Sequence, residues 1–201
     1  MDLTSIEAVL FDMDGTLVDS DAAVERAWRT WAAEYGADPA AVLAVAHGAP
    51  AGRTVHLVRP DLGEAAVTAA AARQLELQYD DLSDVVATPG AKELLAGLRL
   101  PWAVVTSADV RLAKARLGAA GIDVPVLVTV EDIHAGKPDP EGYLRGAELL
   151  GVPAGRCLVV EDAEVGVTAG RAAGAVVAAL KGLAADLSIR DLAELAVLLR
   201  R

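Results

Sequence analysis

Aromatic side chains are scarce in this 201-residue chain: three Trp, three Tyr and one Phe, 3% in all. Ala, Val and Leu must therefore fill whatever core it builds. Cysteine is scarcer still. Cys157 is alone, which excludes an intramolecular disulfide, and as the first residue of Cys157-Leu158-Val159-Val160 it reads as a small buried hydrophobe. No apolar run approaches the roughly 20 residues that a membrane span requires. Met1 to Ile6 carries acids and lacks the basic-then-apolar pattern of a secretion signal. A cytoplasmic setting with no membrane association is the expectation. Positive charge is the other deficit, with 18 Lys and Arg against 29 Asp and Glu and a net charge of −11. That argues against a nucleic-acid or anionic-membrane partner bound through a basic surface. An anionic substrate would need local positive charge or a metal ion.

What is present is a globular composition, 54% hydrophobic with 23% charged. The length suits one domain with a full core, or one domain carrying a large insertion. Ile6 to Phe11 reads as a short buried strand that ends at two carboxylates, Asp12 and Asp14, with Gly15 permitting a tight turn and close approach of a ligand. Asp19, Ser20 and Asp21 then supply helix-start chemistry. Val24, Ala27, Trp28, Trp31, Ala32 and Tyr35 recur at helical spacing up to Gly36. Further helices are expected at Pro39–Ala46, near Thr54–Val58 and from about Gly63 to Leu82. From Val85 onward, short apolar strands alternate with helices. The strands are expected at Pro101–Thr106, Val124–Val130, Arg156–Val160 and Ala175–Leu180. Between them lie helices that start near Pro89-Gly90, turn Val110, Ala113, Leu117 and Ala120 inward, begin at Asp139-Pro140, and cover Ala163–Ala173. A last helix carries Leu192, Leu195, Ala196 and Leu199. Alternation of this kind implies right-handed crossovers and a parallel sheet. The expected architecture is a doubly wound α/β core, residues 1–18 and 86–201, with an all-α insertion over 19–85.

In such a sheet a ligand sits at the carboxyl ends of the strands. Those ends carry, in order, Asp12 and Asp14; Thr106 and Ser107; a loop with Gly136-Lys137-Pro138-Asp139-Pro140; and Glu161-Asp162. Each has an ordinary explanation alone. Thr106 and Ser107 could cap the next helix, Lys137 could be a solvated loop lysine, and Glu161-Asp162 another capping pair. Four such coincidences at successive strand ends point instead to one site. The residue types suit phosphoryl transfer. An all-oxygen set of carboxylates suits Mg²⁺, and with no cysteine or histidine beside the acids zinc is disfavoured. Asp12 can attack phosphorus to give an aspartyl-phosphate. Asp14 can protonate the leaving alkoxide and later deprotonate water. Thr106 and backbone N–H groups of the turn at Gly15 can hold phosphoryl oxygens, Lys137 supplies fixed positive charge, and Asp162 completes a metal site.

These residues resemble the four motifs of the haloacid dehalogenase (HAD) superfamily. Phe11-Asp12-Met13-Asp14-Gly15-Thr16-Leu17-Val18-Asp19-Ser20 is similar to the first, and Thr106, Lys137 and Glu161-Asp162 follow in order as the other three. The resemblance implies Asp12 as nucleophile, Asp14 as acid and base, and Mg²⁺ held by Asp12, the Asp14 carbonyl and Asp162. Glu161 would be a ligand or a support behind the ligands. It implies that the helical insertion is a cap, with His47 and Arg53 as candidate substrate contacts; His47 reads equally well as a structural loop histidine. The expected activity is hydrolysis of a small sugar or polyol phosphate. A phosphosugar mutase of the β-phosphoglucomutase type and a phosphoglycolate phosphatase are the alternatives. A dehalogenase is disfavoured, because it needs neither Asp14 nor Asp162.

Overall fold

The computed structural model describes residues 3–46 and 50–200. The chain divides into two compact units, one of residues 1–19 and 86–201 and the other of residues 20–85.

The first unit is built on β1 (Ala8–Phe11), whose four side chains are all buried. A strand covered on both faces of a parallel sheet has no polar side, which explains the unbroken apolar run. The chain turns sharply through 13–18 and forms β2 (Val18–Asp19). The second unit follows, with α1 (Asp21–Tyr35), α2 (Pro39–Ala46), α3 (Ala51–Val58) and α4 (Glu64–Leu77). On its return the chain adds β3 (Val86–Ala87), which pairs antiparallel with β2. It continues through α5 (Ala91–Gly97), β4 (Trp102–Val105), α6 (Val110–Ala120), β5 (Leu127–Val128), α7 (Glu141–Leu150), β6 (Cys157–Glu161), α8 (Glu164–Ala172), β7 (Val176–Ala179), β8 (Leu187–Ser188) and α9 (Leu192–Leu198).

The main sheet has six parallel strands in the order β5-β4-β1-β6-β7-β8. Winding proceeds outward from β1 in one direction through β4 and β5, then restarts at β6 and runs the other way. The reversal beside β1 is the switch point where a doubly wound sheet opens a crevice at its carboxyl edge. This is the α/β, doubly wound architecture with an all-α insertion. Its core joins Leu10, Ala103, Val105, Val159 and Val177 with Tyr143 and Ala147 of α7. In the helical unit the core is Trp28, Trp31, Val42, Val55, Ala70 and Leu77. There α1 ends at Gly36 in the left-handed conformation, as its position after Tyr35 predicts.

Local polar chemistry moves several boundaries. Helix α4 stops at Leu77, short of Leu82, and beyond it Asp81 accepts hydrogen bonds from the Ser83 amide and hydroxyl, a turn that competes with helix. The strand expected over 124–130 shortens to two residues, because Thr129 and Asp132 form a reciprocal capping box around a 3₁₀ turn. Asp109 caps α6 by accepting from the Leu112 amide, so Thr106 and Ser107 are not its cap. The inward face of α6 holds Leu112, Ala113, Arg116, Leu117 and Ala120, while Val110 is exposed. The β2–β3 ribbon and β8 are too short to leave a periodic signal.

Candidate active site

Asp12 is the first residue beyond β1, and its amide bonds to the Val160 carbonyl of the neighbouring strand. Strand β6 ends at Glu161, with Asp162 next. The carboxylates of Asp12, Glu161 and Asp162 come together, each offering an oxygen within 4.8 Å of the others. Lys137 reaches into this group from the loop before α7. Its Nζ donates to Asp12 Oδ1 at 2.5 Å, to Glu161 Oε1 at 2.7 Å and to the Val105 carbonyl at 3.1 Å. The ammonium also lies 5.1 Å from the ring centroid of Tyr143.

Glu161 is 1% exposed, and both of its oxygens are occupied. Oε1 accepts from Lys137 and from the Tyr143 hydroxyl at 2.6 Å; Oε2 accepts from the amides of Asp162 and Ala163 at 3.0 and 3.2 Å. A buried carboxylate is tolerated when its lone pairs are satisfied in this way. The packing needs Gly166 at the start of α8, since a Cβ there would stand 1.7 Å from Glu161 Oε1. Gly15 does the same for Asp162. Its φ of +80° suits glycine, and a Cβ would fall 2.0 Å from Asp162 Oδ2. The Gly15 amide donates to the Val18 carbonyl, so this residue makes room for the Asp162 carboxylate while its N–H serves the turn.

Electrostatics follow from burial. Desolvation raises the Asp12 carboxyl well above its ordinary value, with Lys137 opposing and Glu161 and Asp162 adding to the rise. Asp162 is raised for the same first reason, countered mainly by Lys181, whose Nζ lies 2.7 Å from Oδ2. Burial works against the charge on Lys137, but Asp12 and Glu161 overcome it and keep the ammonium ionised. Burial likewise raises the Tyr143 hydroxyl, so it stays a protonated donor to Glu161.

The remaining candidates are arranged as follows. Asp14 turns its carboxylate to Arg116 on α6, Nη1 to Oδ2 2.8 Å. Thr106 is buried at the carboxyl end of β4, where its hydroxyl oxygen accepts from the Ala108 amide; Ser107 beside it is exposed. Arg53 lies exposed in the first turn of α3, in the helical unit. His47 lies outside the described residues. Three residues of the site escape a reading of strand ends as motifs. Tyr143 and Arg116 come from helix interiors, and Lys181 follows β7, which a fuller survey of strand ends would have reached.

An all-oxygen donor set of clustered carboxylates, two of them raised by burial, is a chemical match for a hard divalent cation. The glycine at position 15 lets the Asp162 carboxylate sit against the turn that follows β1, close to Asp12. The residues present therefore fit a hard divalent cation, the class to which the expected magnesium belongs.

Fold and site define an α/β enzyme with a lysine-bridged acidic centre at the switch point of its sheet. Residues 6–174 match the family model for haloacid dehalogenase-like hydrolase, and the chain belongs to that family. It is 45% identical over 175 residues to hexitol phosphatase A of Escherichia coli K12, covering 85% of this chain and 81% of that protein. It is 35% identical over 193 residues to 2-deoxyglucose-6-phosphate phosphatase 1 of Saccharomyces cerevisiae, covering 86% and 78%. The fold is shared with a β-phosphoglucomutase from Clostridium difficile, with a TM-score of 0.82, 20% identity, and coverage of 94% and 93%. The class of enzyme is a phosphoric monoester hydrolase.

Proposed function

We propose that this chain hydrolyses a small sugar or polyol phosphate by a Mg²⁺-dependent route through an aspartyl-phosphate on Asp12. The observation that carries the reading is the Lys137 ammonium bridging Asp12 and Glu161, with Asp162 alongside. A nucleophilic carboxylate must be ionised and aimed although buried, and an ammonium hydrogen-bonded to one oxygen does both while leaving Oδ2 for phosphorus. The relatives that act on hexitol and deoxyglucose phosphates support the substrate class.

In the first half-reaction an Asp12 oxygen forms a bond to phosphorus as the ester P–O bond breaks, and Asp14 delivers its proton to the departing oxygen. In the second, Asp14 takes a proton from the water whose oxygen attacks phosphorus, and inorganic phosphate leaves with Asp12 restored. Thr106 holds a phosphoryl oxygen, with Ser107 at the rim, and Lys137, whose three N–H groups face Asp12, Glu161 and the Val105 carbonyl, supplies the positive charge beside the phosphoryl group. Asp12, Asp162 and the Asp14 carbonyl are the groups to hold Mg²⁺, which when bound neutralises phosphoryl oxygen charge. Glu161, with both oxygens engaged, supports Lys137 rather than ligating metal. The helical unit, residues 19–85 in this reading, acts as the cap that selects substrate, with Arg53 gripping its polar end and His47 a second candidate. The partner is a small phosphorylated metabolite. The proposed site of action is cytoplasmic; no helix among the described residues is long and apolar enough to cross a membrane.

The test is release of phosphate from a panel of monoesters with Mg²⁺, with Asp12→Asn and EDTA as controls. Both controls should lower kcat at least about 10³-fold. Turnover that survives them removes this mechanism. Interconversion of sugar phosphates without phosphate release would replace hydrolysis by mutase chemistry.

A further inference from the structure

We propose that Tyr143 is a positioning residue for Lys137 and, through it, for the nucleophile Asp12, an inference that rests on the phosphatase reading above. Tyr143 stands in α7, is 1% exposed and belongs to the core with Leu10, Val105 and Val159. Its hydroxyl donates to Glu161 Oε1 at 2.6 Å, and the Lys137 ammonium lies over its ring, 5.1 Å from the centroid. Packing alone would be served by phenylalanine, which brings no polar atom into an apolar interior. The hydroxyl has a use beyond packing, and that use follows from the oxygen it meets.

The two oxygens of Glu161 are held in different ways. Oε2 accepts from backbone, the amides of Asp162 and Ala163, whereas Oε1 accepts from two side chains, Tyr143 and Lys137. An ammonium has three N–H donors. Those of Lys137 are divided among Glu161 Oε1, Asp12 Oδ1 and the Val105 carbonyl. Two carboxylates therefore compete for one cation. A hydroxyl that donates to Oε1 shares the charge of that oxygen and weakens its pull on the ammonium, which leaves more of the attraction for Asp12. The ring face adds a second contact that limits where the ammonium can go. With the hydroxyl removed, Lys137 is the donor left to Oε1, and it is drawn toward Glu161 and away from the nucleophile.

Helix α7 is shaped to bring Tyr143 this close. Gly142 and Gly146 flank it on the helix. A Cβ at Gly142 would stand 3.0 Å from Val105 Cγ1, and one at Gly146 3.0 Å from Val105 Cγ2 and 3.1 Å from Leu10 Cδ2. The helix thus lies tightly on β4 and β1. The residue it presses on, Val105, is the one whose carbonyl takes an N–H of Lys137. Tyr143 does not meet phosphorus in this assignment. It acts through the ammonium, by fixing how that charge is shared between Asp12 and Glu161.

The experiment joins kinetics to a direct view of the ammonium. Of the four lysines, Lys92, Lys114 and Lys181 are exposed, while the Lys137 side chain is 10% exposed. Its protons should exchange slowly with water. In protein labelled with ¹⁵N at lysine Nζ, Lys137 should therefore give a ¹H–¹⁵N signal that Lys137→Met removes. Tyr143→Phe, which keeps the ring and loses the donor, should displace that signal. It should also lower kcat about 20-fold with KM within about 2-fold of wild type, because a misaimed nucleophile slows the reaction and leaves binding alone. Tyr143→Phe/Glu161→Gln should be no slower than Glu161→Gln, since the hydroxyl acts on the charge that glutamine removes. An unmoved Lys137 signal, a kcat loss below about 3-fold, a KM that rises in step, or additive losses in the double variant would reduce Tyr143 to a packing role. If wild-type protein releases no phosphate from any monoester, the phosphatase reading falls, and the Lys137 signal still decides whether the hydroxyl places the ammonium. If Tyr143→Phe does not fold, Tyr143→Met, which fills much of the space and donates nothing, decides by the same criteria.

Discussion

Both units of this chain carry ion pairs at the surface, but among the described residues only the α/β unit also buries charged side chains. In the helical unit the ion pairs lie at the surface: Arg26 with Asp81 and Asp84, Arg73 with Glu34 and Glu76, Arg59 with Asp61. Its interior is left to Trp28, Trp31, Val42, Val55 and Ala70. In the α/β unit Lys137, Glu161 and Arg116 are buried at or behind the carboxyl edge of the sheet. Exposed pairs contribute little and are easily exchanged, whereas buried ones cost desolvation that only good geometry offsets. The contrast separates charge spread over a helical surface from charge packed into the candidate site. It predicts that apolar changes will hurt the helical unit most, while small steric changes near buried acids will hurt the α/β unit.

The largest effect expected in the helical unit is at Trp31. Its ring is fully buried, stacks on Tyr35 with centroids 4.7 Å apart, meets Trp28 edge-on at 5.4 Å, and its Nε1 donates to the Ala70 carbonyl at 2.8 Å. Trp31→Ala removes all of this and should cost about 4 kcal/mol. Trp31→Phe, which keeps the ring and loses the hydrogen bond, should cost about 1.5 kcal/mol. Urea titration followed by circular dichroism measures both. A cost below about 1 kcal/mol for Trp31→Ala would mean that this cluster is not what holds the unit together.

The next prediction makes one substitution in one helix of each unit. Gly166→Ala in α8 drives a methyl into Glu161, 1.7 Å from Oε1, where the carboxylate is held by four donors. It should cost about 3 kcal/mol and, by displacing Lys137, most of the activity. Gly52→Ala in α3 meets nothing within 4 Å and should stabilise by about 0.5 kcal/mol through helix propensity. Melting both variants with and without Mg²⁺ checks the pair. Equal effects would erase the distinction between a glycine required by the site and one merely present in a helix.

The same distinction explains what was legible in the sequence. A parallel sheet turns chain order into spatial order, so Asp12, Lys137, Glu161 and Asp162 could be gathered from strand ends alone, without any side-chain contact in view. Helix interiors carry no such guarantee. Tyr143 looks like an ordinary apolar residue of an amphipathic helix, and only its hydroxyl against Glu161 reveals its part. Arg116 sits three residues after Ala113 and four after Leu112, on the stripe that periodicity assigns to the core. An arginine on such a stripe is the signal that was there to be used. Lys181 follows β7 in a left-handed conformation, with φ of 55°, which nothing in its residue type suggests. In the helical unit substrate contacts depend on loop shape rather than on strand order. There Arg53 remains an exposed residue of α3 and His47 lies outside the described residues, so their roles stay with the proposal.

The smallest effect sharpens the comparison through pH. Hydrogen bonding to Arg73 holds the Glu34 carboxyl below its ordinary value of 4.5, and Arg59 and Arg26 do likewise for Asp61 and Asp84. For an acid whose pKa is lower folded than unfolded, the stabilisation is present above the unfolded value and is lost as pH falls through the folded one. Asp12 and Asp162, raised by burial in the metal-free protein, have the opposite sign: their penalty is present at neutral pH and is relieved on acidification. Glu34→Gln should therefore lower the melting temperature by about 2 °C or less at pH 7, and the difference should vanish below the folded pKa of Glu34. Tryptophan fluorescence follows this directly, because Trp28 and Trp31 both lie in α1. High salt should shrink the difference at pH 7, since the pair is exposed. A gap that persists in acid and in salt would show that Glu34 contributes packing along Arg73 rather than charge, and the helical unit would then resemble the α/β unit more than its surface pairs suggest.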